Sequence, residues 1–341
     1  MPSPFPNLPP DQRGTVHTLR LASSALAGNP WGDPSERDLH VYTPVGYDGT
    51  DARYPVLLVL APFSGTGEKL LARGLSDVSI ATRFDRLIRD GCPPFVAVLP
   101  DCMTSLVGSQ YRDSAGLGAY GTYVAREVRA YVEDHFRTTG RWGVLGRSSG
   151  GFGALSLAMD FPGAFRAVAS HAGDMGFDLA YLGDLSAAVA GVRMLGGLEG
   201  FVEAFWDLAR PPGPAFAAMN ILCMACAYSP DPEARPLPAR LPVDFETGAV
   251  DFDVLRSWQR HDPILRAEDP AAQEALRRLD LLFLDAGDRD EYHLHLGLRR
   301  FVARLRAAEV PHVHEEFPGG HRGTNHRYDV SIPRLVAAMS G

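Results

Sequence analysis

The chain has almost no lysine. Lys69 is the only one, and arginine carries the rest of the positive charge, a bias to which no function attaches. Positive charge is also in deficit, with 33 Lys and Arg against 41 Asp and Glu and a formal net charge of −8. That balance leaves no basic footprint for nucleic acid or for an anionic membrane surface, so small neutral or amine-bearing ligands are the easier partners. No apolar run is long enough to span a bilayer. The opening stretch, Met1-Pro2-Ser3-Pro4-Phe5-Pro6, has neither a basic segment nor a continuous apolar one, and no signal peptide is expected from it. Cysteine is scarce as well: Cys92, Cys102, Cys223 and Cys226 are too few for a disulfide framework in 341 residues, and free thiols in a cytoplasmic protein are expected. Cys223 and Cys226 form a CxxC inside the apolar run 220–228 with no second ligand pair nearby, which reads as two small buried hydrophobes.

What is present is a rhythm of short apolar runs and helical patterns, the signature of a mostly parallel sheet flanked by helices. Two alternating runs at 16–21 and 38–43 read as an edge hairpin. More uniformly apolar runs at 56–60, 95–99, 143–145, 167–170, 281–284 and 313–317 read as central strands. Helical periodicity falls at 80–89, 123–135, 152–159 and 296–308. The segment 176–274 breaks this rhythm, showing no clear strand pair until 243–245, and is rich in Ala, Gly, Phe, Met and Trp. It is expected to be a mainly helical, cap-like insertion within a single domain spanning 1–341, because the alternation resumes after it. Its apolar surplus needs the main domain, or a second copy in a homo-oligomer, to cover it.

Gly146-Arg147-Ser148-Ser149-Gly150 spells GxSxG between an apolar strand and an Ala/Leu-rich helix. A serine at such a turn has its hydroxyl clear of the sheet while the following N–H opens the helix. A hydroxyl is a poor nucleophile until a base takes its proton and a carboxylate holds that base. On a doubly wound sheet the partners should come from the carboxyl ends of later strands. They do: Asp285, Asp288, Asp290 and Glu291 follow the strand at 281–284, and His321 follows the strand at 313–317. The order Ser, Asp, His is that of an α/β-hydrolase. Asp290, three residues beyond Gly287, is favoured as the acid, with Asp288 as the runner-up. His293 with His295 and His312 with His314 form two HxH pairs, and His312 and His314 could ligate a metal with His321 or His326, but His321 alone sits on a Gly-flanked loop after a strand. No metal and no cofactor are expected. The tetrahedral intermediate needs N–H donors, for which Ser149 is one and Phe63 the other, since Pro62 in the loop 61–67 has no N–H to give.

With these residues assigned, the chain resembles the esterase D and antigen 85 type of α/β-hydrolase, particularly its enterochelin-esterase-like bacterial members. The matching stretches are 37–44 with 46–48, 54–67, 100–101 with 108–111, 146–153, Trp258 with 261–263, 287–292 and 317–321. The resemblance implies Ser148 as nucleophile, Asp290 as acid, His321 as base, and Phe63 and Ser149 as oxyanion donors. Many members carry His-Gly where this chain has Ala61-Pro62, a departure that stiffens the loop. Ser64, Gln110, Tyr111, Arg147 and His171 are candidates for substrate contact. Phe177, Tyr181, Phe201, Phe205, Trp206 and Met224 of the insertion offer apolar lining. The expected function is a serine-dependent carboxylic ester hydrolase acting on a small-molecule ester through an acyl-enzyme. An acyltransferase or thioesterase would use the same residues, and an intact triad argues against a non-catalytic binding protein.

Overall fold

The computed structural model describes residues 8–73 and 78–340; the opening stretch read for a signal peptide lies outside them. Eight strands make the central sheet: β1 (Thr15–Ala22), β2 (Glu36–Thr43), β3 (Tyr54–Leu60), β4 (Val96–Pro100), and, after a two-stranded hairpin of β5 (Asp113–Ser114) and β6 (Gly118–Ala119), β7 (Thr138–Arg147), β8 (Ala167–His171), β9 (Leu281–Gly287) and β10 (Val313–Phe317). Their order is β1-β2-β4-β3-β7-β8-β9-β10. The β1–β2 and β2–β4 pairs are antiparallel and the rest are parallel, so the fold is that of an α/β-hydrolase.

The burial of each strand follows from its pattern. All seven residues of β3 are buried, as a parallel strand covered on both faces requires. The edge strand β1 alternates and stays largely exposed. One face is covered by the helices Arg129–His135, Ser149–Asp160 and Leu294–Ala307, the other by Ile80–Arg89 and Tyr328–Ser340. The helix expected over 123–135 starts three residues earlier and passes through a π-helical stretch, Tyr123–Val128. The run at 143–145 is only the apolar centre of the ten-residue β7, whose first residues are polar and half out of the core.

Between β8 and β9 lie seven α-helices among the described residues, from Phe177–Ala180 to Pro270–Arg277. The stretch expected to hold a strand at 243–245 contributes one isolated bridge, Val243 with Val250. This segment has an apolar core of its own, built around Gly213–Tyr228, and that core includes Leu106, Leu117 and Phe152 from the main sheet's loops and helix. Among the described residues no helix is long and apolar enough to cross a membrane.

Candidate active site

Parallel register aligns the strand ends. Arg147 pairs with His171, His171 with Asp285, and Gly287 with Phe317, so the loops leaving β7, β8, β9 and β10 emerge side by side. These loops carry Ser148, Asp174, Asp290 and His321.

Ser148 is the hinge between β7 and the helix Ser149–Asp160, with φ 57° and ψ −127°. Two close approaches hold that conformation. A Cβ on Gly146 would lie 2.3 Å from the carbonyl carbon of Gly150, and one on Gly150 would lie 2.4 Å from the Leu60 oxygen. Only glycines let strand, turn and helix pack this tightly. Ser64, Val107, Gln110, Tyr111 and Ala172 also have positive φ, so strained backbone gathers in the loops around Ser148.

His321 Nδ1 donates to Asp290 Oδ2 at 2.8 Å, which leaves Nε2 as the acceptor of a proton. Both side chains are buried. Asp290 Oδ1 accepts the Tyr292 amide at 2.9 Å, and the His321 amide donates to Glu291 at 2.6 Å. That bond holds the Glu291 carboxyl below its ordinary range. Tyr292 packs edge-on to the imidazole at 4.8 Å. Arg147 reaches the His321 carbonyl at 3.3 Å and Thr324 at 3.5 Å, supporting the loop from below.

The loop after β3 is held from two sides. Ser64 donates its amide to the Val107 oxygen at 3.2 Å, and the Tyr111 hydroxyl donates to the Ala61 oxygen at 2.7 Å. The Phe63 ring lies against Gly108 and edge-on to Phe216. Among the described residues neither the Phe63 nor the Ser149 amide donates to a protein acceptor, the state an oxyanion site requires.

Over residues 34–334 the chain matches the Esterase family, described as "Putative esterase". The chain belongs to this family. The chain is 25% identical over 333 residues to two Mycobacterium tuberculosis proteins, Esterase MT1326 of strain CDC 1551 / Oshkosh and Esterase Rv1288 of strain ATCC 25618 / H37Rv. The match takes in 94% of this chain and 58% of each relative, so the chain spans little more than half their length. Among solved structures it is similar to a ferulic acid esterase, with a TM-score of 0.62, 19% identity, and coverage of 96% of this chain and 99% of the other. It is similar also to an S-formylglutathione hydrolase from Agrobacterium tumefaciens, with a TM-score of 0.57, 16% identity and 96% coverage of both chains. At these identities the likeness is one of fold, and it agrees with the esterase D and antigen 85 resemblance.

Two of the substrate-contact candidates are corrected. His171 faces away from Ser148, into the layer of the C-terminal helix, where Nδ1 meets Asp285 at 2.7 Å and Nε2 meets Ser331 at 2.9 Å. Tyr111 is buried with its hydroxyl engaged, and its ring fills the space over Gly153. Phe177, Phe201, Phe205 and Met224 are buried in the apolar core of the segment between β8 and β9, and Trp206, half exposed, bonds the Ser105 carbonyl.

Asp174 is the residue that sequence reasoning missed. It follows β8 and is buried beside Ser148, whose Oγ donates to its Oδ1 at 3.4 Å. Its Oδ2 accepts from Gln110 Nε2 at 3.1 Å, Ser149 Oγ at 3.1 Å and the Tyr181 hydroxyl at 3.2 Å. Burial pushes the Asp174 carboxyl up, against those hydrogen bonds and the nearby His321. Its place after a strand end, the same criterion that selected Asp290 and His321, was the available signal.

Proposed function

We propose that the esterase hydrolyses a small-molecule carboxylic ester through an acyl-enzyme on Ser148. The carrying observation is the joint placement of Ser148 at a strained strand-to-helix turn and the buried His321–Asp290 pair on the neighbouring strand-end loop. In this reading His321 Nε2 takes the hydroxyl proton as Oγ attacks the ester carbonyl. Asp290 holds the Nδ1–H tautomer and stabilises the imidazolium that forms. The Phe63 and Ser149 amides, otherwise unused, receive the oxyanion, and each such donor accounts for roughly 10²–10³ in turnover. Collapse expels the alcohol, which takes its proton from His321, and water then repeats the sequence to release the acid.

The Ser148 hydroxyl rests on Asp174 at 3.4 Å, so the reading requires it to turn towards His321 when substrate arrives. Catalytic hydrogen bonds commonly tighten only with substrate bound. We further propose that the segment between β8 and β9 caps the site and sets the size of the ester admitted. A reducing, cytoplasmic setting suits its four free, buried cysteines, of which Cys92 and Cys226 have thiols pushed by burial to about 11 and about 12.

The test is Ser148→Ala against p-nitrophenyl acetate and butyrate, with fluorophosphonate labelling of the wild type. Turnover should fall by at least about 10³ and labelling should map to Ser148. Undiminished turnover in the folded variant rejects the assignment.

A further inference from the structure

Asp174 carries more than a resting contact with Ser148. Four side chains bond to its carboxylate, Gln110, Ser148, Ser149 and Tyr181, and none of the four is a cation. Three of these donors converge on Oδ2 and favour the ionised form, working against the burial that pushes the carboxyl up. Oδ1 has only the Ser148 hydroxyl among the described residues. During attack that hydroxyl gives its proton to His321, and Oδ1 then loses its single donor while still buried beside the reacting carbon. An unpartnered buried carboxylate oxygen there is costly, and its negative charge opposes the oxyanion forming on the same carbonyl. A substrate that brings a cationic N–H donor to Oδ1 removes both difficulties at once.

The ring around Asp174 is built to hold the carboxylate in place. Gln110 Nε2 also meets the Tyr228 hydroxyl at 2.9 Å, and Tyr181 and Tyr228 pack against each other and against Trp258. Arg147, the nearest arginine in sequence to the nucleophile, is committed to the His321 carbonyl and Thr324. The overall charge of −8 favours approach of a cation from solution.

We propose that the preferred substrate is an ester bearing a protonated amine close to the scissile carbonyl, and that Asp174 Oδ1 receives the ammonium group. This rests on Ser148 being the nucleophile. Asp174 is thus a specificity-determining residue, and its partners Gln110, Ser149 and Tyr181 position it.

The experiment compares kcat/KM for L-alanine p-nitrophenyl ester with that for p-nitrophenyl propanoate, which has the same carbon skeleton without the amine. Wild type should favour the amino ester by at least about tenfold, as expected where a site is built to bond a substrate N–H. In Asp174→Asn the ratio should fall to near one, a change that general damage to the site does not produce because both esters share it. A wild-type ratio of one or below, or a ratio unchanged in Asp174→Asn, overturns the proposal. If that variant does not fold, the wild-type ratio decides alone. Calorimetry with n-butylammonium and butan-1-ol separates this from the esterase reading. Ammonium binding to wild type, without alcohol binding, supports the site even where no ester is turned over, whereas turnover of both esters with no ammonium preference or binding rejects the site and leaves the esterase reading intact.

Discussion

Two carboxylate–imidazole pairs lie among the strand-end residues, and their surroundings differ. His321 with Asp290 stands on the loops, with Nε2 free to take a proton. His171 with Asp285 is locked inside the sheet layer, where Nε2 is used by Ser331 and Asp285 also accepts from Arg327 at 2.7 Å. Asp290→Asn should therefore keep the fold and lower kcat by about 10³–10⁴, since the tautomer is lost while the geometry stays. Asp285→Asn should instead lower unfolding free energy by about 3–5 kcal/mol, because it strips a buried partner from Arg327. Urea unfolding and p-nitrophenyl acetate kinetics on the two variants check this; a large stability loss in Asp290→Asn with little loss in kcat would reverse the roles. Gly108 gives a second prediction at this scale. A Cβ there would stand 2.7 Å from the Phe63 ring, so Gly108→Ala should shift the Phe63 amide and lower kcat about ten- to a hundredfold with KM little changed. Steady-state kinetics in which only KM moved would remove Phe63 from the oxyanion site.

At the scale of elements, what could be read in advance was what local pattern determines. Most of the apolar runs became buried parallel strands, β10 staying only half-buried, and Ser148, Asp290 and His321 could be nominated because each lies just past such a run. His171 was misassigned because it also lies at a strand end, where neighbouring residues point to opposite faces and sequence does not say which face holds the site. Asp174 carried the strand-end signal, but the ring that engages it is assembled from Gln110, Tyr181 and Tyr228, three segments with no shared local pattern. The inserted segment shows the same limit: its aromatic residues serve one another as core, which apolar composition alone does not distinguish from a pocket lining.

That segment also contains a titrating group with a directional effect. His261 stacks on Tyr228 at 5.3 Å and its Nε2 donates to the Tyr228 carbonyl at 3.1 Å, and burial lowers its pKa to about 4 from an ordinary 6.5. Arg112, Arg266 and Arg260 act in the same direction. The unfolded chain therefore takes up a proton before the folded one does. The stabilisation is complete above pH 6.5 and is lost as pH falls towards 4, by at most about 3 kcal/mol. The urea midpoint should thus drop less between pH 7.5 and 5 in His261→Gln than in wild type. Equal drops in the two proteins would exclude His261 as the source.

Across the whole molecule, the inserted segment is joined to the sheet by contacts that leave little room for independent unfolding. Phe152, on the helix that Ser148 opens, is packed at 6.0 Å from Phe177 and 5.8 Å from Tyr228. Asp262 accepts the Phe177 amide at 2.8 Å, tying the two ends of the segment together. Arg266 donates to Asp160, at the end of the same helix, at 2.6 Å, and Arg300 to Asp178 at 2.8 Å. The exposed Arg300–Asp178 pair contributes little, but the shared apolar core does not survive on one side only. Removing the segment would uncover Leu106, Leu117 and Phe152 and leave Asp174 without the Tyr181 hydroxyl. One cooperative transition should therefore describe the described region as a whole. Native-state hydrogen exchange is the direct measure: amides in Gly213–Tyr228 should open with the same free energy and denaturant dependence as those of β7. Opening of the helix at markedly lower free energy would mean that the segment unfolds separately, as a lid able to leave Ser148 uncovered while the sheet stays intact.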